Sequence, residues 1–109
     1  MRKKVKIRDR EVGEGKPCFI IAEAGANHDR KLGQARELIN VAVDAGADAI
    51  KFQVYSAETL YSQKTPQFSY LKELDIGKST YQILRENELP REWLGELAKY
   101  CQNKGIIFL

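Results

Sequence analysis

The chain has 109 residues, 43% of them hydrophobic and 30% charged, with a formal net charge of +3. That length suits one small domain, and the composition is that of a folded globular protein rather than a disordered chain. No apolar stretch is long enough to span a membrane and no apolar segment marks a secretion signal, so the expected location is cytoplasmic, without a membrane partner.

Much of the positive excess lies in Arg2, Lys3, Lys4, Lys6 and Arg8. Their alternation with Val5 and Ile7 fits the solvent face of a strand better than a nucleic-acid arm, so no nucleic-acid partner is expected. Residues 4–8 and 11–13 read as a short hairpin turned at Asp9-Arg10, and the turn-rich residues 13–17 link it to a first long strand at 18–24. Asn27, His28 and Asp29 follow as candidate helix N-caps. Leu32, Ala35, Leu38, Ile39, Ala42 and Ala45 then recur at helical spacing, and Gly46 suits the residue that closes the helix. A second strand is expected at 48–54. Strand, helix and strand with tight links make a β-α-β unit, whose parallel strands end at one common rim.

Residues 55–89 leave that rim as a long connection containing Thr65-Pro66, Phe68, Tyr70 and Tyr81, with a short helix expected near Thr80–Glu86. Long excursions at such a rim tend to form roofs or lids over a site, although one that is merely packed would look the same. Pro90 is placed to start another helix, with Trp93 or Leu94, Leu97, Ala98 and Cys101 on its apolar face and Gly105 at its end. Residues 106–109 read as a third buried strand. A domain that finishes on a bare apolar strand is an aggregation hazard, so the sequence is expected to be the front of a longer protein.

The polar residues inside these strands carry the chemical signal. Strand side chains alternate between faces. Ile21, Glu23 and Gly25 therefore share one face, and Lys51 and Gln53 share the matching face of the second strand. The opposite positions (Ile20, Ala22 and Ala24; Ile50, Phe52 and Val54) are all apolar, as in strands covered on both sides. A carboxylate and an ammonium there are costly unless they are paired or face a wet cleft, which points to the mouth of an active site. Lys51 suits phosphate or carboxylate binding, Schiff-base formation, or an ion pair with Glu23. Glu23 suits proton transfer or hydrogen bonding to hydroxyls, and Gln53 both donates and accepts. His28 is the only histidine and has no partner cluster, so loop structure is favoured over metal ligation. Cys18 and Cys101 lack metal-ligand spacing and read as buried small hydrophobes in a reducing compartment. Neither a glycine-rich dinucleotide pattern nor a P-loop is present.

Two longer motifs make the reading specific. Ile20-Ile21-Ala22-Glu23-Ala24-Gly25-Ala26-Asn27-His28 resembles the first-strand signature of the sialic acid synthase family, the synthases of N-acetylneuraminate and of legionaminic and pseudaminic acids. Ala45-Gly46-Ala47-Asp48-Ala49-Ile50-Lys51-Phe52-Gln53 resembles its second-strand signature, and Gly105-Ile106-Ile107-Phe108-Leu109 the start of its third. The resemblance implies the α/β fold of a TIM (β/α)8 barrel, with residues 1–17 as a preceding hairpin and link and 18–109 as its β-α-β-α-β portion. It implies condensation of phosphoenolpyruvate with an N-acetylated hexosamine such as N-acetylmannosamine, giving a nine-carbon 2-keto sugar acid and phosphate. It further implies a divalent metal, manganese or magnesium, with ligands downstream of Leu109, and a homodimeric full-length enzyme.

By the same resemblance, Lys51 binds phosphoenolpyruvate, Gln53 contacts substrate, Glu23 handles protons beside the sugar aldehyde, and Asn27 and His28 shape the loop. A complete barrel takes about 250 residues, so the segment alone is expected to be inactive. The rivals are another phosphoenolpyruvate-condensing barrel, as in octulosonate or heptulosonate synthesis, and a non-catalytic α/β binding module. The motif at 22–28 argues against the first, and the second should fold alone without needing Glu23 or Lys51.

Overall fold

The structure, a computed structural model, describes residues 3–109; Arg2 of the basic run lies outside the described residues. Strands β1 (Val5–Ile7) and β2 (Arg10–Val12) form an antiparallel hairpin in which Ile7 faces Arg10 and Val5 faces Val12. The turn is therefore Arg8-Asp9, one residue earlier than the sequence suggested. Arg8 takes the left-handed conformation (φ 54°) that a two-residue hairpin turn requires. Arg10 stays in the strand, where its guanidinium lies 2.5 Å from Asp48 Oδ1.

A three-stranded sheet carries the rest of the chain. Strands β3 (Ile21–Gly25), β4 (Ala49–Phe52) and β5 (Ile107–Phe108) pair in that order, all parallel. Helices α1 (Leu32–Asp44) and α5 (Trp93–Lys104) supply helices in the two crossovers and bury their apolar faces in one shared core. Ala35, Ile39 and Ala42 of α1 and Leu97 and Cys101 of α5 meet Ala24, Ile50 and Phe52 of the sheet there. Burying Ile39, Ile50 or Leu97 contributes about 1.5–3 kcal/mol each. The helices also join at their surfaces, where the Tyr100 hydroxyl donates to Asn40 Oδ1 at 2.7 Å and Arg36 pairs with Glu96. Gly105 closes α5 in the left-handed conformation (φ 75°) that favours glycine.

Several sequence expectations need correction. The first long strand begins at Ile21, not at residue 18, and Cys18 is exposed rather than buried. The cause is Asp48, whose carboxylate accepts from Ile20 N at 2.7 Å, while Ile20 O accepts from Asp48 N and Ala49 N. Pairing with β4 thus starts only at residue 20. Toward their carboxyl ends the strands are covered on one face only among the described residues: Ala24, Ile50 and Phe52 are buried, whereas the Glu23 and Lys51 side chains on the other face are half exposed. Both crossover helices lie on the same side of the sheet, as connections of one hand place them. Asn27, His28 and Asp29 do not cap α1; the cap position is Lys31, without a side-chain bond, and the three residues form a turn of their own. Finally, residues 90–92 make a turn ahead of α5, in which Pro90 O accepts from Trp93 N at 3.0 Å, so the helix starts at Trp93.

The long connection holds three short helices, α2 (Ala57–Leu60), α3 (Ser69–Glu73) and α4 (Thr80–Glu86). Only α4 was legible beforehand; α2 and α3 are too short to display a period. Ser79 caps α4, its hydroxyl accepting from Gln82 N at 3.1 Å. The connection is tied back to the rim at two points. The Tyr55 hydroxyl donates to Leu84 O at 2.9 Å, and Glu88 Oε1 accepts from Ala57 N at 2.8 Å.

Candidate functional site

The parallel register places Glu23 of β3 directly beside Lys51 of β4. Lys51 Nζ donates to Glu23 Oε2 at 3.1 Å, and both side chains are 50% exposed. An ion pair so wet contributes only about 0.2–1 kcal/mol to stability. Holding the sheet together is therefore a weak reason for these charges, and presenting them to a ligand is a better one. Immediately after Glu23 the register shifts, so that Gly25 rather than Ala24 aligns with Phe52. Gly25 takes φ 57°, and its carbonyl accepts from Gln53 N at 3.0 Å. Its missing side chain leaves room for others: a Cβ there would stand 3.3 Å from Glu23 Oε1, 3.7 Å from Asn27 Nδ2 and 3.9 Å from Gln53 Cδ.

These residues open into a cavity of about 440 Å³ at the carboxyl end of the sheet. Glu23, Gly25, Asn27, Asp29, Gln53 and Tyr55 form its floor and near wall, and Ile83, Leu84 and Asn87 close it from the α4 side. The long connection therefore supplies one wall of the cavity. Burial raises the pKa of Tyr55, with the nearby Glu88 carboxylate adding to it, which keeps the phenol protonated and donating to Leu84 O.

The turn from β3 into α1 forms the remaining wall. Asn27 Nδ2 donates to Ala24 O at 3.0 Å, and Gln34 Nε2 ties the turn to α1 by donating to Asn27 O and Asp29 Oδ2 at 2.9 and 2.8 Å. Asp29 and Arg30 both have left-handed φ, at 51° and 52°. Such residues cost about 1–3 kcal/mol each and persist where surrounding contacts over-determine them. His28 lies behind this turn, fully buried, and does not reach the cavity.

The residues singled out from sequence thus separate into three positions. Glu23, Gln53 and Asn27 share the cavity; Lys51 joins them through Glu23 from the open face of the sheet; His28 supports the wall from inside. Asp29, Tyr55, Ile83, Leu84 and Asn87 were not anticipated. Tyr55 lies two residues beyond Gln53 on the same chain direction, and residues 83, 84 and 87 share a helical face, so both signals existed but neither could be tied to the rim without the fold. Among the described residues, no group of three His, Cys, Asp or Glu side chains could hold a metal ion.

Comparison with known proteins adds a consistent set of likenesses. The NeuB family pattern matches residues 38–109. The chain is 43% identical over 103 residues to the spore coat polysaccharide biosynthesis protein SpsE of Bacillus subtilis, covering 94% of this chain and 27% of that protein. It is 40% identical over 98 residues to the N,N'-diacetyllegionaminic acid synthase of Legionella pneumophila, covering 89% of this chain and 28% of that one. Among solved structures, the N-acetylneuraminic acid (sialic acid) synthetase of Leptospira borgpetersenii superposes with a TM-score of 0.77 at 31% identity, over 97% of this chain and 33% of that chain. The chain spans little more than a quarter of the length of the curated relatives it matches.

Proposed function

Because the chain belongs to the NeuB family, we propose that its cavity serves a synthase that joins phosphoenolpyruvate to an N-acetylated hexosamine such as N-acetylmannosamine. In that reaction C3 of the enolpyruvate forms a bond to the sugar aldehyde carbon, water adds at C2, and the C2–O bond to phosphate breaks. The products are a nine-carbon 2-keto sugar acid and inorganic phosphate. The observation that carries this reading is the Glu23–Lys51 pair beside a polar cavity at the strand ends.

Each residue then has a task suited to its chemistry. Lys51 offers a compact cation to the carboxylate or phosphate of phosphoenolpyruvate. Glu23, held by Lys51, stands where a proton must be managed at the sugar aldehyde. Gln53 and Asn27 offer neutral donors and acceptors to sugar hydroxyls. Release of Glu23 from Lys51 when an anion arrives would couple binding of one substrate to readiness for the other.

A divalent metal is part of the proposed chemistry, as the electrophile-activating group for the aldehyde. The residues described here do not form a site for it, since His28 is buried with Nδ1 engaged by Arg30 N. Its proposed ligands lie downstream of Leu109. The segment alone lacks most of the about 250 residues of a barrel, so residues 1–109 by themselves should not turn over substrate. The proposed whole enzyme is a cytoplasmic homodimer.

The test is Lys51→Ala in the full-length protein, assayed by phosphate release from phosphoenolpyruvate with N-acetylmannosamine. Loss of a charge-assisted contact worth about 1.5–3 kcal/mol should raise KM for phosphoenolpyruvate by about 10- to 100-fold, or abolish activity. Unchanged kinetics would remove Lys51 from the site, and robust turnover by residues 1–109 alone would overturn the fragment's dependence on the rest of the barrel.

A further inference from the structure

The turn that forms the cavity wall is closed by Lys31 N donating to His28 O at 2.9 Å, with Asp29 and Arg30 both left-handed between them. That is the φ pattern of a type I′ turn, which favours Asn and Gly at its two central positions. Asp tolerates the first of them; Arg adopts the second only at a conformational cost, as Arg8 also does at φ 54° in the hairpin turn. Contacts around Arg30 offset that cost. His28 Nδ1 accepts from Arg30 N at 2.9 Å, on the backbone amide of the strained residue itself. An accepting Nδ1 leaves the single proton of a neutral ring on Nε2. Nε2 is fully buried and has no hydrogen-bond partner of the ordinary kind. The ring instead makes a T-shaped contact with Trp93 of α5, with centroids 5.8 Å apart and planes at 78°.

We infer that His28 is a positioning residue: a neutral imidazole, protonated on Nε2, that clips the strained 28–31 turn to α5 and thereby fixes Asn27 and Asp29 at the cavity wall. Only the effect on turnover rests on the synthase reading; the clip itself does not. The clip requires the neutral ring, because a proton on Nδ1 would set one donor against another at Arg30 N. The surroundings keep it neutral. Burial lowers its pKa most; Asp29 works in the opposite direction and Arg30 in the same one. From α5 the ring meets the uncharged indole, while Glu92 just ahead of that helix and Glu96 in its first turn are exposed and Glu96 is taken up by Arg36.

The deciding experiment uses the full-length protein with ¹⁵N-labelled histidine, the His28 signals being assigned by their loss in His28→Asn. At neutral pH the expected spectrum shows Nδ1 unprotonated and Nε2 protonated; an Nδ1-protonated or doubly protonated ring would overturn the inference. For turnover, His28→Phe keeps a ring against Trp93 but removes the acceptor, and should lower kcat/KM by about 10- to 100-fold, the scale of a misplaced site wall. His28→Asn keeps an acceptor near the Nδ1 position and should lose less. Arg30→Gly, which relieves the turn, should restore most of the loss in the His28→Phe background. No loss in His28→Phe, or no recovery in the double variant, would overturn the positioning role. An inactive wild-type protein would count against the synthase reading, and the tautomer spectrum would still decide the clip.

Discussion

Replacing Gly25 by alanine tests the site geometry more directly than removing a charge. Gly25 is buried, has φ 57°, and has the side chains of Glu23, Asn27 and Gln53 around the place where a Cβ would stand. An L-residue in the left-handed region costs about 1–2 kcal/mol, and the stiffer unfolded chain returns about 0.4–1 kcal/mol. The net loss is about 1 kcal/mol, on the order of 2 °C in Tm for a protein of barrel size or larger. The new methyl must also displace Glu23 Oε1 from its 3.3 Å approach by a few tenths of an ångström, and the flexible end of that side chain can give way. Stability should thus suffer modestly while the Glu23–Lys51 pair shifts. Since displacement by 1 Å can cost on the order of 100-fold in rate, this smaller shift should cost about tenfold in kcat/KM. Thermal denaturation and steady-state kinetics of full-length Gly25→Ala measure both. A Tm loss above about 12 °C would mean that the contact is with rigid structure, and an unchanged kcat/KM would mean that the Glu23 carboxylate is not placed by this packing.

Two further predictions concern the α4 wall and the base of the sheet. Ser79→Ala removes the N-cap of α4 and should cost about 1 kcal/mol, with KM rising more than kcat falls because Ile83, Leu84 and Asn87 form the far wall; equal proportional changes in both would contradict a role in closing the cavity. Asp48 has its pKa lowered, first by the hydrogen bond from Ile20 N and then through Arg10. Its contribution is present above the ordinary carboxylate value near 3.8 and lost as pH falls through its lowered folded value. Asp48→Asn should therefore be less stable than wild type at pH 7, the gap narrowing below pH 4, as read by urea unfolding at several pH values; a gap independent of pH would assign the effect to shape rather than charge.

The residue pattern alone determined most of the frame. The spacing of Ala35, Ile39 and Ala42 could only suit a helix with one buried side, Gly46 and Gly105 marked where helices stop, and the alternation around Glu23 and Lys51 put both charges on one strand face. These are local properties, carried by backbone sterics and side-chain period, and they survive without knowledge of any partner. The family likeness was legible for the same reason: its motifs are those strand ends.

Tertiary structure decided what depends on distant residues. Asp48 reaches back to Ile20, where pairing of the two strands begins, and to Arg10 of the hairpin. The one-sided cover of the sheet follows from two helices choosing the same face, which no strand reveals by itself. Residues 83, 84 and 87 became cavity wall only because Tyr55 and Glu88 draw the long connection back over the rim. His28 shows the difference most plainly: as a lone histidine in a loop motif it had no assignable chemistry, and its state is set by an amide two residues ahead and an indole 65 positions away in the sequence.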